Sequence, residues 1–290
     1  MIETDINFEK LNSYINNLIK KDLCTREMKC CPHCKSEKYI KYGTYKKVQR
    51  FKCKLCKKTF SFSTGFIWSY SKKKPEKWVE FLELMLENRT LRACAKKLKI
   101  NLGTAFYWRH KLLYSFIANH KIESISGDIH LGKGVIKENF KGCRNILSSE
   151  RNEIWIAALK GDNDNLLFEP VCKKYWNMKS FNEKVYTKIN EESYIIPYSD
   201  RYMEIVAEKH NKVSNKDVEE EDRIRFFRVN FKLWIRRFRG IGTKYLKGYL
   251  EWFVLINLKR KINYLNLYDI FDNKSCFIKS ENIREVELQF

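Results

Sequence analysis

The sequence predicts a multidomain α+β protein in which small N-terminal modules precede a core of strands and helices. Three observations lead to this prediction. Two Cys-x-x-Cys pairs stand within residues 31–56. Hydrophobic residues recur at the three- and four-residue spacing of helices over residues 76–116. Residues 122–210 instead contain short β-rich runs separated by turn residues, and 290 residues are enough for one full-sized core and one or two small modules.

The first domain, residues 1–23, is predicted to be an amphipathic helix. Its apolar residues lie three or four positions apart, which puts them on one face of a helix: Phe8, Leu11, Tyr14, Ile15 and Leu18. We expect this face to pack against the neighbouring modules.

The cysteine pairs predict a metal site. Cys31-Pro-His-Cys34 and Cys53-Lys-Leu-Cys56 are separated by eighteen residues. Each pair bends the backbone so that two thiolates face one ion, and four thiolates are the ligands of a tetrahedral, structural Zn²⁺. Reduced cysteines without a metal are the alternative. Cys30 and His33 are spare donors, and Cys30 can replace Cys31.

The residues around these pairs predict a zinc ribbon over residues 24–66. Residues 39–44 and 48–52 have the pattern of two short strands joined by a polar turn. Between positions 29 and 58 there are eleven Lys or Arg residues and one acid, Glu37. This imbalance favours a surface that neutralises DNA phosphates, and a solvated lysine-rich face is the alternative.

The whole chain is strongly basic. It has 57 Lys and Arg against 35 Asp and Glu, a formal net charge of +22, so a polyanionic partner is expected. No apolar run approaches the roughly 20 residues that span a bilayer, so no membrane partner is expected. The N-terminus lacks a secretory pattern and the ten cysteines suggest no disulfide framework. We therefore expect an intracellular protein, of the bacterial cytoplasm or nucleoid or of the eukaryotic nucleus.

Residues 75–118 predict a helix-turn-helix domain. Two helices flank a turn that contains Gly103, and the second is rich in basic and aromatic residues. In this motif the second helix enters the major groove of DNA, so the candidates for DNA contact are Tyr107, Arg109 and Lys111. An ordinary helical hairpin with a basic outer face is the alternative.

Residues 122–258 predict a core of strands and helices. Strands are expected at residues 122–131, 153–159, 165–171 and 193–198, and helices at residues 178–189, 202–210, 223–239 and 245–258. The polar residues 212–222 predict an exposed loop. The 223–239 helix is basic outside an aromatic inner face, and three of its cations are DNA-binding candidates: Arg228, Lys232 and Arg236. Residues 259–290 form a C-terminal tail without a recognisable pattern.

The order of these parts resembles a known family. The four-cysteine ribbon, the helix Thr104-Ala-Phe-Tyr-Trp-Arg-His-Lys-Leu-Leu and the run Trp234-Ile-Arg-Arg-Phe-Arg-Gly-Ile-Gly-Thr are similar to those of zinc-ribbon insertion-sequence transposases related to eukaryotic Merlin elements. The resemblance implies a ribonuclease-H-like, integrase-like core. In that family two Asp and a third Glu or Asn hold divalent metal ions, which activate water or a 3′ hydroxyl for attack on a phosphodiester.

The same resemblance implies that this chain lacks those acids. Without gaps, the family's first motif aligns with residues 127–142 and puts Gly132 at the first Asp. The second Asp falls on Tyr198, and the third position, counted back from Trp234, falls on Arg225. Mg²⁺ needs carboxylates or comparable oxygen ligands, so no catalytic residue is assigned.

The resemblance thus implies a transposase-derived DNA-binding protein without cleavage or strand-transfer activity. Its expected partner is double-stranded DNA, including transposon terminal inverted repeats, and a homodimer is a compatible assembly. An active transposase with shifted acids is the main alternative, and Mg²⁺ is a cofactor only in that case. The acids it would use are Asp128, Asp200 and either Glu221 or Asp222, with Asn230 as a further candidate. An RNA-binding zinc-ribbon protein is the second alternative.

Overall fold

A computed structural model describes residues 8–24, 28–119, 122–140, 147, 150–161, 165–198, 200–211, 223–238, 240–257, 264–272, 277–288 and 290. Within residues 21–24, 223–227 and 264–266 it describes the backbone alone. The chain divides into two compact units. The first comprises residues 1–119 and 262–284, and the second residues 120–261 and 285–290.

The protein is a mixed α+β structure with two sheets. Its elements in chain order are α1 (Phe8–Cys24), β1 (Tyr39–Tyr45), β2 (Val48–Cys53), β3 (Thr59–Phe60), α2 (Glu76–Leu86), α3 (Leu91–Leu98), α4 (Leu102–Asn119), β4 (Asp128–Lys137), β5 (Glu153–Lys160), β6 (Leu166–Lys173), α5 (Met178–Lys184), β7 (Tyr194–Pro197), α6 (Arg201–His210), α7 (Arg223–Arg236), α8 (Leu246–Asn257), α9 (Tyr264–Asp272) and α10 (Ser280–Ile283). None of the described helices is long and apolar enough to cross a membrane.

In the first unit, β1, β2 and β3 form an antiparallel sheet in that order. The turn between β1 and β2 consists of Lys46 and Lys47, with positive φ of 49° and 69°. Two consecutive positive φ values match the right-handed twist of a hairpin, which explains the tight connection. Phe51 and Phe60 are buried beside the cysteines. The predicted pair of short strands is confirmed.

Three helices follow, as predicted for residues 76–116. The Thr90 hydroxyl accepts a hydrogen bond from Ala93 N at 3.4 Å and caps α3, which ends at Lys99 in the left-handed conformation with φ of 51°. The rings of Trp78 and Trp108 stack with centroids 4.2 Å apart. This buried pair packs α2 against α4.

The C-terminal tail returns to the first helix. Leu267, Ile270 and Phe271 of α9 are buried, and α9 packs against α1 and α4. The Tyr14 hydroxyl donates a hydrogen bond to Asp272 Oδ2 at 3.0 Å, over a sequence separation of 258 residues. The sequence showed no recognisable pattern in this tail, and its helix α9 thus completes the core of the first unit.

In the second unit a four-stranded sheet has the order β6-β5-β4-β7. The strands β4, β5 and β6 form an antiparallel meander. The strand β7 is parallel to β4, in the register Asp128–Tyr194 to Leu131–Pro197. A parallel return requires a crossover connection, and α5 lies within it.

The two faces of this sheet are covered by different helices. Ile129 and Leu131 of β4 lie in the apolar cluster formed with α5 and α6. Because side chains alternate along a strand, Gly134 faces the opposite side, where Phe168 of β6 meets Phe231 of α7 with ring centroids 5.7 Å apart. We call this second side the α7 face.

Two predicted boundaries in the core differ from the structure. The strand expected at residues 122–131 is β4, which begins at Asp128 because Gly127 turns the chain with φ of 86°. Ile125, before that turn, makes an isolated bridge to Ile189. The helix expected at residues 178–189 ends at Lys184, where the chain turns to bury Val185 in the core. The predicted loop 212–222 lies outside the described residues.

Candidate functional site

The four ribbon cysteines meet at one point. Their Sγ atoms all lie within 4.8 Å of one another; Cys31 is 3.7 Å from Cys56, and Cys34 is 3.5 Å from Cys53. A tetrahedral Zn²⁺ with Zn–S bonds of about 2.3 Å requires S···S distances of about 3.8 Å. The four thiols therefore fit one Zn²⁺ ion, and the predicted cysteine cluster is confirmed.

The two cysteine pairs are built on the same backbone bend. In each pair the first cysteine N–H donates to the carbonyl five residues later, Cys31 to Ser36 at 2.8 Å and Cys53 to Lys58 at 3.0 Å. The residue before each acceptor has positive φ: Lys35 (63°) and Lys57 (59°). Bulky residues adopt this conformation only where the surroundings hold it, so the bends position the thiols.

The thiols differ in their acidity. The backbone N–H groups of Cys56 and Leu55 stabilise the Cys53 thiolate and lower the pKa of Cys53 to about 6, whereas burial raises the pKa of Cys31. The thiolate is the form that binds metal. Cys53 therefore offers a preformed ligand at neutral pH.

The spare donors near the ribbon remain outside this cluster. Cys31 is one of the four converging thiols, and Cys30 is not. The His33 Nε2 atom lies 3.4 Å from the carbonyl oxygen of Thr59. The alternative in which Cys30 replaces Cys31 is therefore not supported by the geometry.

The exposed face of the ribbon combines an aromatic ring with cations. The Tyr42 side chain on β1 is 46% exposed. Arg50 Cζ lies 5.7 Å and Lys52 Nζ lies 5.1 Å from its ring centroid. An exposed ring beside two cations is suited to nucleic acid, because bases stack on rings and phosphates pair with cations.

Two predicted DNA contacts on α4 are buried. Arg109 is 1% exposed and its Nη2 donates to the Arg89 carbonyl at 2.6 Å. Lys111 is 6% exposed, with Nζ 5.9 Å from the Trp78 ring and 5.0 Å from the Phe277 ring, and burial lowers the pKa of Lys111 to about 8. The expectation that α4 turns these two cations outward is wrong, because both serve the interior of the first unit.

Exposed cations lie on α3 instead. Four basic residues on or just after this helix are exposed: Arg92, Lys96, Lys97 and Lys99. Sequence analysis missed them, although the four-residue spacing of Arg92 and Lys96 places them on one face of a helix. The Tyr107 ring is partly exposed and lies 5.7 Å from Arg284 Cζ.

In the core, the first two positions aligned with catalytic acids are neighbours. Leu131 pairs with Pro197 in the parallel register, and Tyr198 N donates to Leu131 O at 2.9 Å. Gly132 and Tyr198 therefore lie side by side on β4 and at the end of β7. Neither residue offers a carboxylate.

Arg228 of α7 lies over the α7 face of the sheet, where Gly132 and Tyr198 are. Its Cζ is 5.3 Å from the Tyr198 ring centroid. A Cβ atom on Gly134 would lie 3.8 Å from Arg228 Nε, so the guanidinium covers a strand position without a side chain. Burial lowers the pKa of Arg228, and Tyr198 and Asp200 oppose this shift electrostatically.

A second cation, Lys133, lies on the opposite face of β4, the face that α5 and α6 cover. Lys133 Nζ is 2.9 Å from Asp200 Oδ2, and the two side chains are 11% and 21% exposed. The ammonium also lies 5.0, 5.1 and 4.5 Å from the rings of Trp155, Trp176 and Tyr202. Asp200 therefore already has a cationic partner.

The alternative acids Asp128 and Asp200 are not brought together. Asp128 is the first residue of β4, four positions before Gly132, which is about 13 Å along a strand. Asp200 caps α6 by accepting from Tyr202 N at 3.0 Å. Among the described residues, no metal-binding group of His, Cys, Asp or Glu contains either acid. The described residues here do not fit Mg²⁺.

The remaining candidates belong to α7 and the segment before it. Asn230 is two residues from Arg228, about 200° round the helix. Lys232 and Arg236 are exposed and follow Arg228 at four-residue intervals. Glu221, Asp222 and the Arg225 side chain lie outside the part of the chain that is described.

Comparison with known proteins gives one informative similarity. No protein-family model and no solved structure matches this chain. A protein from a transposable element is similar to part of this chain. Over 113 residues the chain is 26% identical to an uncharacterized protein in the transposable element ISH50 of Halobacterium salinarum, a stretch that is 39% of this chain and 38% of that protein. The match thus spans well under half the length of that relative.

Proposed function

We propose that this protein is a transposase-derived protein that binds double-stranded DNA and neither cuts nor joins it. The observation that carries the proposal is the hydrogen bond from Tyr198 N to Leu131 O, which puts Tyr198 beside Gly132, at the level where the resemblance implies two catalytic acids. Arg228 lies against the Tyr198 ring at the same place. Metal-assisted phosphodiester cleavage needs carboxylates there.

The topology of the second unit supports descent from a ribonuclease-H-like core. Such a core is a sheet flanked by helices, and here α5 and α6 cover one face while α7 and α8 cover the other. The strand order β6-β5-β4-β7, with β7 parallel to β4, brings the first two aligned positions together. Similarity to a transposable-element protein agrees with this origin.

The electrostatics of the core argue against a pair of Mg²⁺ ions. Lys133 and Arg228 are both cationic, and Asp200 is the acid beside them. Mg²⁺ gives up its water ligands reluctantly and is usually held by one or two carboxylates together with substrate phosphates. A divalent ion here would have to compete with Lys133 for a single carboxylate.

Several exposed surfaces support DNA as the partner. The ribbon carries Tyr42 with Arg50 and Lys52, α3 carries a cluster of cations, and α7 carries Lys232 and others at four-residue spacing. The net charge of +22 exceeds what solubility needs. Binding through many phosphate contacts should weaken steeply as salt is added.

A cleavage assay tests the catalytic part of the proposal. Purified protein is incubated with supercoiled plasmid and with a labelled linear duplex, with Mg²⁺ or Mn²⁺. We expect no nicking above that of a buffer control. Nicking that requires the metal and is abolished by Asp200→Ala would instead support the active transposase with shifted acids.

A competition assay tests the partner. A labelled DNA duplex is bound in a gel-shift experiment and challenged with unlabelled DNA duplex or with RNA of the same sequence. We expect DNA to compete better. Stronger competition by RNA would favour the RNA-binding alternative, and no binding to any nucleic acid would refute the proposal.

A further inference from the structure

Arg228 has hydrogen-bonding capacity that its described neighbours do not use. The guanidinium is half-buried, and its Nε has no hydrogen-bond partner among the described residues. Arginine keeps its charge at neutral pH even where burial lowers the pKa of the group, as it does for Arg228. A half-buried guanidinium whose Nε is buried without a hydrogen-bond partner is stabilised by an anion that pairs with its remaining N–H groups.

The strand beneath this cation leaves space. Gly132 and Gly134 are two residues apart on β4, so both open onto the α7 face without a side chain. Arg228 Nε lies 3.8 Å from where a Gly134 Cβ would stand. An alanine at position 134 would make ordinary contact with the guanidinium, and a branched side chain such as valine would compete with the guanidinium for this space.

Apolar side chains form the wall of the adjoining pocket. The pocket is a shallow recess, and Arg228 and Lys232 line it together with apolar residues that include Ile156, Phe168 and Phe231. Walls of low polarity concentrate the field of a neighbouring charge. The pocket therefore strengthens attraction between Arg228 and an anion at its mouth.

The local charge is also favourable to an anion. Asp200 lies near enough to Arg228 to influence its pKa, but Lys133 neutralises that carboxylate at 2.9 Å. Lys133 lies on the face of β4 that α5 and α6 cover, whereas Arg228 lies on the α7 face, and Asp200 interacts with both cations. Lys232 and Arg236 continue the positive charge along α7, with about 6 Å between successive positions.

We infer that the junction of β4, β7 and α7 is a metal-independent binding site for a DNA phosphodiester, anchored by Arg228. A planar guanidinium binds two phosphate oxygens at once, which an ammonium cannot do. Lys232 and Arg236 extend the contact to neighbouring phosphates. The inference rests on the proposed DNA binding and adds the atom-level contact to it.

Two substitutions at Arg228 and one control test this site. Arg228→Met removes the charge and retains most of the packing, while Arg228→Lys retains the charge and loses the planar fork. Lys179→Met is the matched control, because Lys179 is an exposed cation on α5, which covers the other face of the sheet. Thermal unfolding of each variant first establishes that it is folded.

Affinity for a fluorescein-labelled DNA duplex is measured by anisotropy, on zinc-loaded full-length protein without added Mg²⁺. Arg228→Met should weaken binding roughly tenfold or more, and Lys179→Met should change the affinity by about twofold or less. The affinity of Arg228→Lys should lie between those of the wild type and Arg228→Met. Gly134→Val, which keeps every charge, should weaken binding like Arg228→Met. Equal losses in Arg228→Met and Lys179→Met would overturn the site.

Phosphate ethylation interference separates a direct contact from a structural role. Ethylation of particular phosphates should block DNA binding by the wild-type protein. At least one of these ethylations should no longer affect DNA binding by Arg228→Met. An unchanged interference pattern would overturn the site while leaving the proposed DNA binding intact. Failure of the wild-type protein to bind any duplex would refute both.

Discussion

Lys133 Nζ and Asp200 Oδ2 form an ion pair at 2.9 Å that is largely shielded from solvent. Four residues further along β4, Lys137 pairs with Glu153 at 3.1 Å, with side chains that are 56% and 38% exposed. One strand therefore holds a shielded pair and a solvated pair of the same chemical type. The two lysines provide a controlled comparison.

We expect Lys133→Ala to lower the free energy of unfolding by about 1–3 kcal/mol, because it removes the partner of Asp200 and the cation among three rings. Lys137→Ala should cost about 0.5 kcal/mol or less, since water screens its pair. Urea denaturation measures both values. Equal costs would show that neither the shielding nor the three rings make the Lys133 pair more stabilising than the solvated Lys137 pair.

The zinc site gives the next prediction. Purified protein should contain about one zinc per chain by elemental mass spectrometry, because four thiols fit one tetrahedral ion. Cys34→Ser combined with Cys56→Ser should remove the zinc and destabilise the ribbon. Cys30→Ser is the control and should keep the metal. Full zinc retention in the double variant would contradict the assignment.

The buried Lys111 predicts a pH dependence of stability. The pKa of this lysine falls from 10.5 to about 8 on folding. Between these values the unfolded chain holds a proton that the folded chain has released, so this group makes stability rise with pH. Lys111→Met should remove that rise, whereas the exposed Lys97→Met should not. Chemical denaturation at about pH 7 and about pH 10 compares them; parallel pH profiles for wild type and Lys111→Met would refute the prediction.

Replacing cations on α3 should affect DNA binding, whereas replacing Arg109 on α4 should affect stability. Replacing the exposed Arg92 and Lys96 together by Met should reduce the slope of log affinity against log salt by about two. Arg109→Met should lower the melting temperature instead, because it leaves the Arg89 carbonyl without its donor. Salt titrations and thermal melts on both variants distinguish these effects. A reduced salt slope in Arg109→Met alone would restore α4 as the DNA-binding helix.

The ribbon was predictable because its determinants are local. Two cysteine pairs and two short strands define it, and each pair bends within six residues, as the hydrogen bonds from Cys31 and Cys53 demonstrate. The helices around α2 and α3 followed from hydrophobic spacing in the same way. The core strands other than β4 also began within one residue of the predicted positions.

The roles of α4 and the tail were not predictable because they depend on distant partners. Arg109 looks like a surface cation until the Arg89 carbonyl and the rest of the helical core enclose it. Lys111 is covered by Phe277, more than half the chain away. The sequence identifies a cation and its helix face, but only tertiary packing decides whether that face is buried or exposed.

The return of α9 to α1 has a consequence for synthesis. Residues 264–272 leave the ribosome after residues 120–261 of the second unit, yet their buried Leu267 and Phe271 complete the core that α1 and α4 begin. Domains usually fold as they emerge, N-terminal first. Here the earliest segment must wait for one of the latest. A premature stop codon before residue 264 would therefore disable the module that lies at the opposite end of the gene.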